Sequence, residues 1–261
     1  MLRKGDLTQG GITGTLLHFT LPMMVGSFLQ QCYNIADTLI VGQCIGAGAL
    51  AAVGSAYTLM VFLISVLLGL AMGSGTVFSL HYGAGNHVAL RRSIFSSFVL
   101  IGIVTLILNV AVFIWLDPIL RLLQVPQDIY GMMRSYLWLI FCGIVFTFIY
   151  NFYASLLRAV GDSVTPLWFL AVSVVLNIAL DLFFILQLDW GIQGAAAATV
   201  LAQGVAALGI IIYTYRRRPE LRWHHEDMCF DRTCLKEIAS FSTLTCVQQS
   251  VMNLGILMVQ G

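Results

Sequence analysis

Apolar residues dominate seven long stretches of the chain, and polar residues, glycine or proline separate them. A helix needs about 20 mostly apolar residues to cross the hydrocarbon core of a bilayer. Strands of a porin-like barrel would give alternating segments of about ten residues instead, and no such alternation occurs. The pattern therefore predicts an all-α, polytopic transmembrane helical bundle. Its predicted helices cover residues 14–43, 50–81, 93–116, 132–157, 164–188, 191–215 and 238–261.

Charged residues are nearly absent from these predicted helices. The second, third, sixth and seventh contain no Asp, Glu, Lys or Arg, and Arg134 lies at the edge of the fourth. Asp37 in the first and Asp181 in the fifth are the only charges predicted at membrane depth. An aspartate there costs about 2.5–3.5 kcal/mol on insertion scales. We therefore expect both carboxylates to face a polar cavity or a partner.

The composition supports the same class of protein. The chain is 59% apolar and 10% charged, whereas soluble domains carry about 25% charged residues. The net charge of +1 and the lack of a basic tract give no support for nucleic-acid binding. No phosphate-binding loop, zinc-protease motif or nucleophile–base pair is recognisable, so we do not expect an enzyme.

The basic residues predict the orientation in the membrane, because cytoplasmic loops carry an excess of Lys and Arg. Eleven of the 13 Lys and Arg residues lie in the N-terminus or in the loops after the second, fourth and sixth helices. Arg121 and Arg134 lie on the other side. The N-terminus is therefore predicted to be cytoplasmic. The eleven residues are Arg3, Lys4, Arg91, Arg92, Arg158, Arg216, Arg217, Arg218, Arg222, Arg232 and Lys236.

One change of composition predicts the domain organisation. Residues 1–215 are predicted to form an N-terminal six-helix transmembrane lobe, and residues 216–236 a polar cytoplasmic linker. Residues 237–261 then begin a second lobe. After six crossings a second copy would enter with the same orientation, as in transporters built from two parallel repeats. Because the last apolar run has no exit, we expect a truncated chain: one complete lobe and the first helix of another.

Three predicted helices carry a polar face. Spacings of three and four residues place carboxylate, amide and hydroxyl oxygens on one side of each helix. Na⁺ prefers such oxygen ligands, and a proton suits the site equally, because burial and a second carboxylate favour a protonated acid. A structural hydrogen-bond network is the alternative. The residues are Gln30, Asn34 and Asp37, then Asn177 and Asp181, then Thr199 and Gln203.

Two further positions predict helix geometry. Pro22 removes one backbone hydrogen bond about a third of the way along the first helix, so we predict a bend, either static or moving. Gly69 and Gly73 have the GxxxG spacing that favours close packing between membrane helices.

Together, these residues resemble the multidrug and toxic compound extrusion (MATE) family of secondary transporters. The resemblance runs from about residue 10 to residue 261 and implies a twelve-helix protein of two six-helix lobes. The present chain would supply the N-terminal lobe and the first helix of the C-terminal lobe. The stretches that carry the resemblance are "FTLPMMVGSFLQQCYNIADTLIVGQCIGAGALAAVG", "GLAMGSGTVFSLHYGAGN", "LLRAVGDSVTP", "NIALDLFFI" and "GIQGAAAATVLAQ".

The resemblance implies a secondary active antiporter that exports cationic or amphipathic organic compounds in exchange for H⁺ or Na⁺. Its partners would be the lipid bilayer, those compounds and the missing C-terminal lobe, without nucleic acid. No cofactor and no metal beyond Na⁺ would be needed, and the bacterial inner membrane is the expected location. The family's cation site falls on Asp37, Asn177, Asp181 and Thr199, and its bending proline on Pro22. The fragment alone is expected to be inactive.

Two other functions fit the sequence. A flippase for a lipid-linked saccharide has a related fold, but it often shows a more cationic cavity, whereas the charges predicted at membrane depth here are acidic. A non-transporting membrane scaffold predicts that Asp37 and Asp181 tolerate replacement by Asn.

Overall fold

The computed structural model of the protein describes residues 12–223, 227 and 232–260. The predicted N-terminal Arg3 and Lys4, part of the predicted linker, and Gly261 lie outside these residues. The described residues form a bundle of helices, so the all-α fold is confirmed. The helices are α1 Ile12–Cys44, α2 Ala47–Gly83, α3 His87–Leu122, α4 Gln127–Cys142, α5 Ile144–Ala159, α6 Val164–Leu182, α7 Gly191–Arg217 and α8 Arg232–Gln260. Two short elements, a π-helical turn at Phe183–Gln187 and a 3₁₀ turn at Pro219–Leu221, complete them.

Within the described part of the chain, four helices are long and apolar enough to cross a membrane: α2, α3, α7, and α6 together with its π-helical turn. The α4–α5 pair adds a fifth if it is counted as one broken span. The predicted seven spans also include α1 and α8, which are 33 and 29 residues long. α1 is continuous through Pro22, and the bend there stays a prediction.

The prediction of one helix over residues 132–157 is wrong. Two helices, α4 and α5, meet there at Gly143 with a bend of 46°. Gly143 packs against α7 so closely that a Cβ atom at this position would lie 2.5 Å from Cγ2 of Val200. The break therefore lies at a contact between segments that are distant in the sequence. The local sequence pattern does not reveal such a contact.

The predicted linker, 216–236, is shorter in the structure than in the sequence analysis. α7 continues to Arg217 and α8 begins at Arg232. Between them, the buried Asp227 accepts a hydrogen bond from Nε of Arg91 at 2.7 Å. This ion pair ties the linker to the first turns of α3.

The predicted close packing at Gly69 and Gly73 is confirmed, and the helix packed there is α8. A Cβ atom on Gly69 would lie 2.5 Å from Cα of Cys246, and one on Gly73 would lie 2.8 Å from Oγ of Ser242. Ser242 also donates a hydrogen bond to the carbonyl oxygen of Leu70 at 3.2 Å. The backbones of α2 and α8 can approach this closely because α2 has no side chain at either position.

α5 separates the apolar core from a cavity. One face of this helix is buried among aromatic rings: the Phe152 ring lies 5.9 Å from Phe78 and 5.2 Å from Phe98 between centroids. The opposite face carries Asn151 and Arg158, which line the cavity. Packing in the aromatic core thus holds α5 in position, and α5 carries polar side chains of the cavity wall.

Candidate cation site and central cavity

A cavity of about 1050 Å³ lies between α1, α2 and α4–α7. Its size is that of a pocket for a drug-sized ligand. The cavity is lined by tyrosine and methionine side chains and by side chains that carry hydroxyl or amide groups. Six of the predicted site residues line it: Pro22, Gln30, Asn34, Asp37, Thr199 and Gln203.

The two membrane-depth aspartates lie side by side in the structure. Their carboxyl groups are within hydrogen-bonding reach of each other, although α1 supplies Asp37 and α6 supplies Asp181. Asp37 is 8% exposed and lines the cavity, whereas Asp181 is fully buried behind it. On each carboxylate, Oδ1 has no hydrogen-bond partner among the described residues. Two adjacent carboxyl groups, each with an unpaired oxygen, can share a proton or hold a cation.

A chain of hydrogen bonds holds this pair in place. The Asn177 amide satisfies both neighbours when Nδ2 donates to Oδ2 of Asp181 at 2.9 Å and Oδ1 accepts from the Thr199 hydroxyl at 3.3 Å. The Tyr33 hydroxyl lies 3.3 Å from Oγ1 of Thr199 and can donate to it. The structure therefore brings the four predicted cation ligands, Asp37, Asn177, Asp181 and Thr199, together in one cluster.

Two tyrosines of this cluster are absent from the sequence-based prediction. Tyr33 precedes Asp37 by one helical turn, so the same spacing argument that grouped Asn34 with Asp37 could have found it. Tyr136 comes from α4, is 4% exposed, and interacts electrostatically with both aspartates. The positions three and four residues away from Tyr136 hold methionine, leucine and isoleucine, so the sequence gives no comparable signal there.

Arg158 corrects one statement of the sequence analysis. It was placed in a loop, but it lies in the last turn of α5 and its side chain lines the cavity. On the same wall, Oγ1 of Thr147 donates to Oε1 of Gln203 at 2.8 Å, and Nδ2 of Asn151 donates to the Thr147 carbonyl at 2.8 Å. The cavity therefore carries a basic group in addition to the acidic pair.

Comparison with known proteins gives the family. Residues 22–183 match the family model described as MatE. The chain is 36% identical over 217 residues to the "Probable multidrug resistance protein YpnP" of Bacillus subtilis, which covers 83% of this chain and 49% of that protein. It is 31% identical over 210 residues to the "Multidrug export protein MepA" of Staphylococcus saprophyticus. That match covers 77% of this chain and 45% of that protein.

The fold matches a solved structure described as "Outward-facing conformation of a multidrug resistance MATE family transporter of the MOP superfamily". The TM-score is 0.91 at 24% identity, over 98% of this chain and 57% of that chain. The chain spans about half the length of the curated relatives that it matches. Because the family model covers more than half of the chain, from Pro22 in α1 to the end of α6, the protein belongs to the MATE family of membrane transporters.

Proposed function

We propose that the protein works as a secondary active efflux antiporter, which exports cationic or amphipathic organic compounds in exchange for H⁺ or Na⁺. The multidrug resistance and export names of the relatives support drug export. The observation that carries the proposal is the position of Asp37. It lines the cavity and also contacts the buried Asp181. One carboxylate is thus available both to the coupling cation and to a drug.

The coupling cation binds, in this proposal, at Asp37, Asn177, Asp181 and Thr199. Two adjacent carboxylates repel each other strongly in a medium of low dielectric constant. A proton or Na⁺ held between the two carboxylates removes that repulsion. The hydrogen bonds from Thr199 through Asn177 orient Asp181 for it.

Coupling follows from this shared carboxylate. A cation on the acid pair neutralises Asp37 and so weakens the attraction of the cavity wall for an organic cation. By linkage, a bound organic cation weakens the site for the coupling ion equally. Gln30, Asn34 and Gln203 offer neutral hydrogen bonds to the organic compound in either state. We propose that Pro22, also on the wall, is where α1 bends as the site fills and empties.

Replacing Asp37 with Asn tests the proposal, because it removes the charge and keeps the shape of the side chain. We expect Asp37→Asn in the full-length protein to reduce export to background, since the coupling ion loses half of its site. Export of ethidium from proteoliposomes, driven by an imposed pH or Na⁺ gradient, measures the effect and shows which ion is used.

The matched control is Asp128→Asn. Asp128 is exposed in the first turn of α4, away from the cavity, and its replacement should leave export unchanged. Wild-type export by Asp37→Asn at equal expression and equal thermal stability would refute the proposal. It would instead favour the scaffold hypothesis, which predicts that Asp37 tolerates Asn.

A flippase for a lipid-linked saccharide is the second candidate, and the guanidinium of Arg158 on the cavity wall favours it. This basic group weakens the sequence argument that the cavity is purely acidic. Such a flippase would move a fluorescent polyprenyl-diphosphate saccharide across vesicle membranes without an ion gradient. An antiporter would not move it at all.

A further inference from the structure

The bend between α4 and α5 is held from α3 by a polar side chain. Asn109 is the only amide side chain in the apolar residues 98–116 of α3. Its Nδ2 donates a hydrogen bond to the carbonyl oxygen of Phe141 at 2.7 Å. Phe141 is the last residue but one of α4 and is 1% exposed. The bond from α3 therefore reaches α4 two residues before the bend at Gly143.

A helix end inside the membrane needs a partner of this kind. The last four carbonyl oxygens of a helix have no partner within that helix, and the hydrocarbon core offers no water in place of one. α4 ends near the middle of the span that it forms with α5. The amide of Asn109 binds one of these last carbonyl oxygens, and this bond fixes the end of α4 relative to α3.

On the far side of the bend, the first turn of α5 packs against α7. A Cβ atom on Gly143 would lie 2.5 Å from Cγ2 of Val200. One turn further along α5, Oγ1 of Thr147 donates a hydrogen bond to Oε1 of Gln203 at 2.8 Å. The bend thus contacts the turn of α7 that runs from Val200 to Gln203.

The same turn of α7 carries a proposed cation ligand. Thr199 directly precedes Val200 and lies one turn before Gln203. Its hydroxyl lies 3.3 Å from the Tyr33 hydroxyl and donates to Oδ1 of Asn177 at 3.3 Å. At this level, α7 is therefore in contact with both the α4–α5 bend and the cation cluster. A shift of the bend would move Thr199 away from its partners.

Thr105, one turn before Asn109 on α3, has a hydrogen bond of a purely local kind. Thr105 is buried, and its hydroxyl donates to the Ile101 carbonyl of the same helix at 2.7 Å. That bond stays within α3, whereas the Asn109 bond joins α3 to α4. Thr105 is therefore a matched comparison for Asn109.

We propose that Asn109 is a positioning residue for the coupling-ion site. It holds the end of α4, and through the bend and α7 it keeps Thr199 in place beside Asp37 and Asp181. Asn109 is not among the described residues that line the cavity, so it acts without touching ion or drug. The inference rests on the ion-coupled export proposed above, because it assigns a further residue to the same site.

Two nearly isosteric substitutions on α3 test this role. Asn109→Leu removes the amide, and Thr105→Val is the matched control. The readout is the concentration of Na⁺ or H⁺ that halves ethidium binding to the full-length protein in phosphatidylcholine nanodiscs, followed by fluorescence anisotropy. Asn109→Leu should raise that concentration about two- to fivefold, the range expected for residues coupled through a shared contact. Thr105→Val should leave it unaltered.

Thr199→Val decides whether Asn109 acts through Thr199. In that background the hydroxyl to be positioned is absent, so Asn109→Leu should have no further effect on the ion concentration. A merely structural Asn109 would lower the melting temperature without this dependence on Thr199. An undiminished shift in the Thr199→Val background, or equal ion responses of Asn109→Leu and Thr105→Val, overturns the inference.

Hydrogen exchange separates this inference from the export proposal, because it needs no ion. In Asn109→Leu, the backbone amides of residues 139–147 at the bend and of residues 196–204 around Thr199 should exchange faster. Thr105→Val should leave both segments unchanged. Unchanged exchange at residues 196–204 in Asn109→Leu overturns the link to Thr199.

The ion coupling in the export proposal fails separately, if neither ion displaces ethidium from the wild-type protein. The exchange pattern then still decides the role of Asn109. If Asn109→Leu does not fold, Asn109→Ser takes its place, because its hydroxyl is too short to reach Phe141 and can bond within α3.

Discussion

Tyr33 and Asp37 are one helical turn apart on α1, and both reach the cluster formed with α6 and α7. The spacing of polar residues placed Asp37, Asn177, Asp181 and Thr199 on polar faces of three helices, because each helix face is set by local periodicity. The family resemblance then grouped these four residues as one site. Their role as cation ligands stays a prediction. Tyr136 was beyond reach of the sequence, since only the folding of α4 against the other helices brings it to the acids.

Removing the Tyr33 hydroxyl should weaken the proposed coupling-ion site. Tyr33→Phe deletes one hydrogen bond, to Thr199, and keeps the ring. A hydrogen bond contributes about 0.5–1.5 kcal/mol, so the ion concentration for half-maximal export should rise about 2- to 10-fold. Ethidium export at stepped Na⁺ or H⁺ concentrations measures it.

Tyr57→Phe is the control for this change. Tyr57 lines the cavity at α2, is 44% exposed, and forms no hydrogen bond among the described residues. Its replacement should leave the half-maximal ion concentration unaltered. An identical response to both substitutions would contradict a specific role for the Tyr33 hydroxyl.

Among the secondary-structure elements, the α4–α5 pair has a bend that the local sequence pattern did not predict. Residues 132–157 have the apolar composition of one span, and a single glycine is tolerated inside a helix. At the bend, Val200 of α7 occupies the space beside Gly143. That neighbour is more than fifty positions away in the chain, so no local window contains it.

Adding a methyl group at this bend should destabilise the protein. Gly143→Ala places a Cβ against Val200, and overpacking of this kind costs about 1–3 kcal/mol. Val200→Ala in the same chain should restore most of the loss by vacating the space. Thermal unfolding in detergent measures both variants.

Gly131→Ala is the comparison for that pair. Gly131 is exposed within α4, and a Cβ there would meet nothing within 4 Å. It should be neutral or slightly stabilising, because alanine favours a helix. If Val200→Ala does not improve Gly143→Ala, a collision with Val200 is not the source of the lost stability.

For the whole molecule, the main long-range contact outside the cavity is that of α8 with α2. The GxxxG spacing predicted a close approach at Gly69 and Gly73, but it could not identify the partner helix. The structure gives α8, the helix that follows the linker. The division into a six-helix lobe, a linker and a second lobe stays a prediction, because a packed contact does not define where a domain ends.

Gly73→Ala should loosen this contact, since its Cβ would collide with Ser242 of α8. Cys246 reports the change: its thiol is half-buried against α2 and donates to the Val66 carbonyl at 3.3 Å. A loss of about 1.4 kcal/mol would make opening, and so maleimide labelling of Cys246, about tenfold faster.

Mass spectrometry of the labelled peptide measures that rate. Gly83→Ala at the exposed end of α2 is the control, because a Cβ there meets nothing within 4 Å. Equal labelling of Cys246 in wild type and Gly73→Ala would show that α8 does not depend on the glycine surface.

The burial of Asp181 and Asn177 behind Asp37 has a kinetic consequence. These two residues are 0% and 1% exposed, whereas Asp37 and Thr199 line the cavity, so Asp37 and Thr199 are the members of the cluster that an ion in the cavity meets first. A bulky molecule bound against Asp37 would therefore block exchange of an ion between the cavity and the inner pair. An ion bound at the inner pair could then dissociate only after the bulky molecule had left. Ion release and drug binding would therefore be sequential steps.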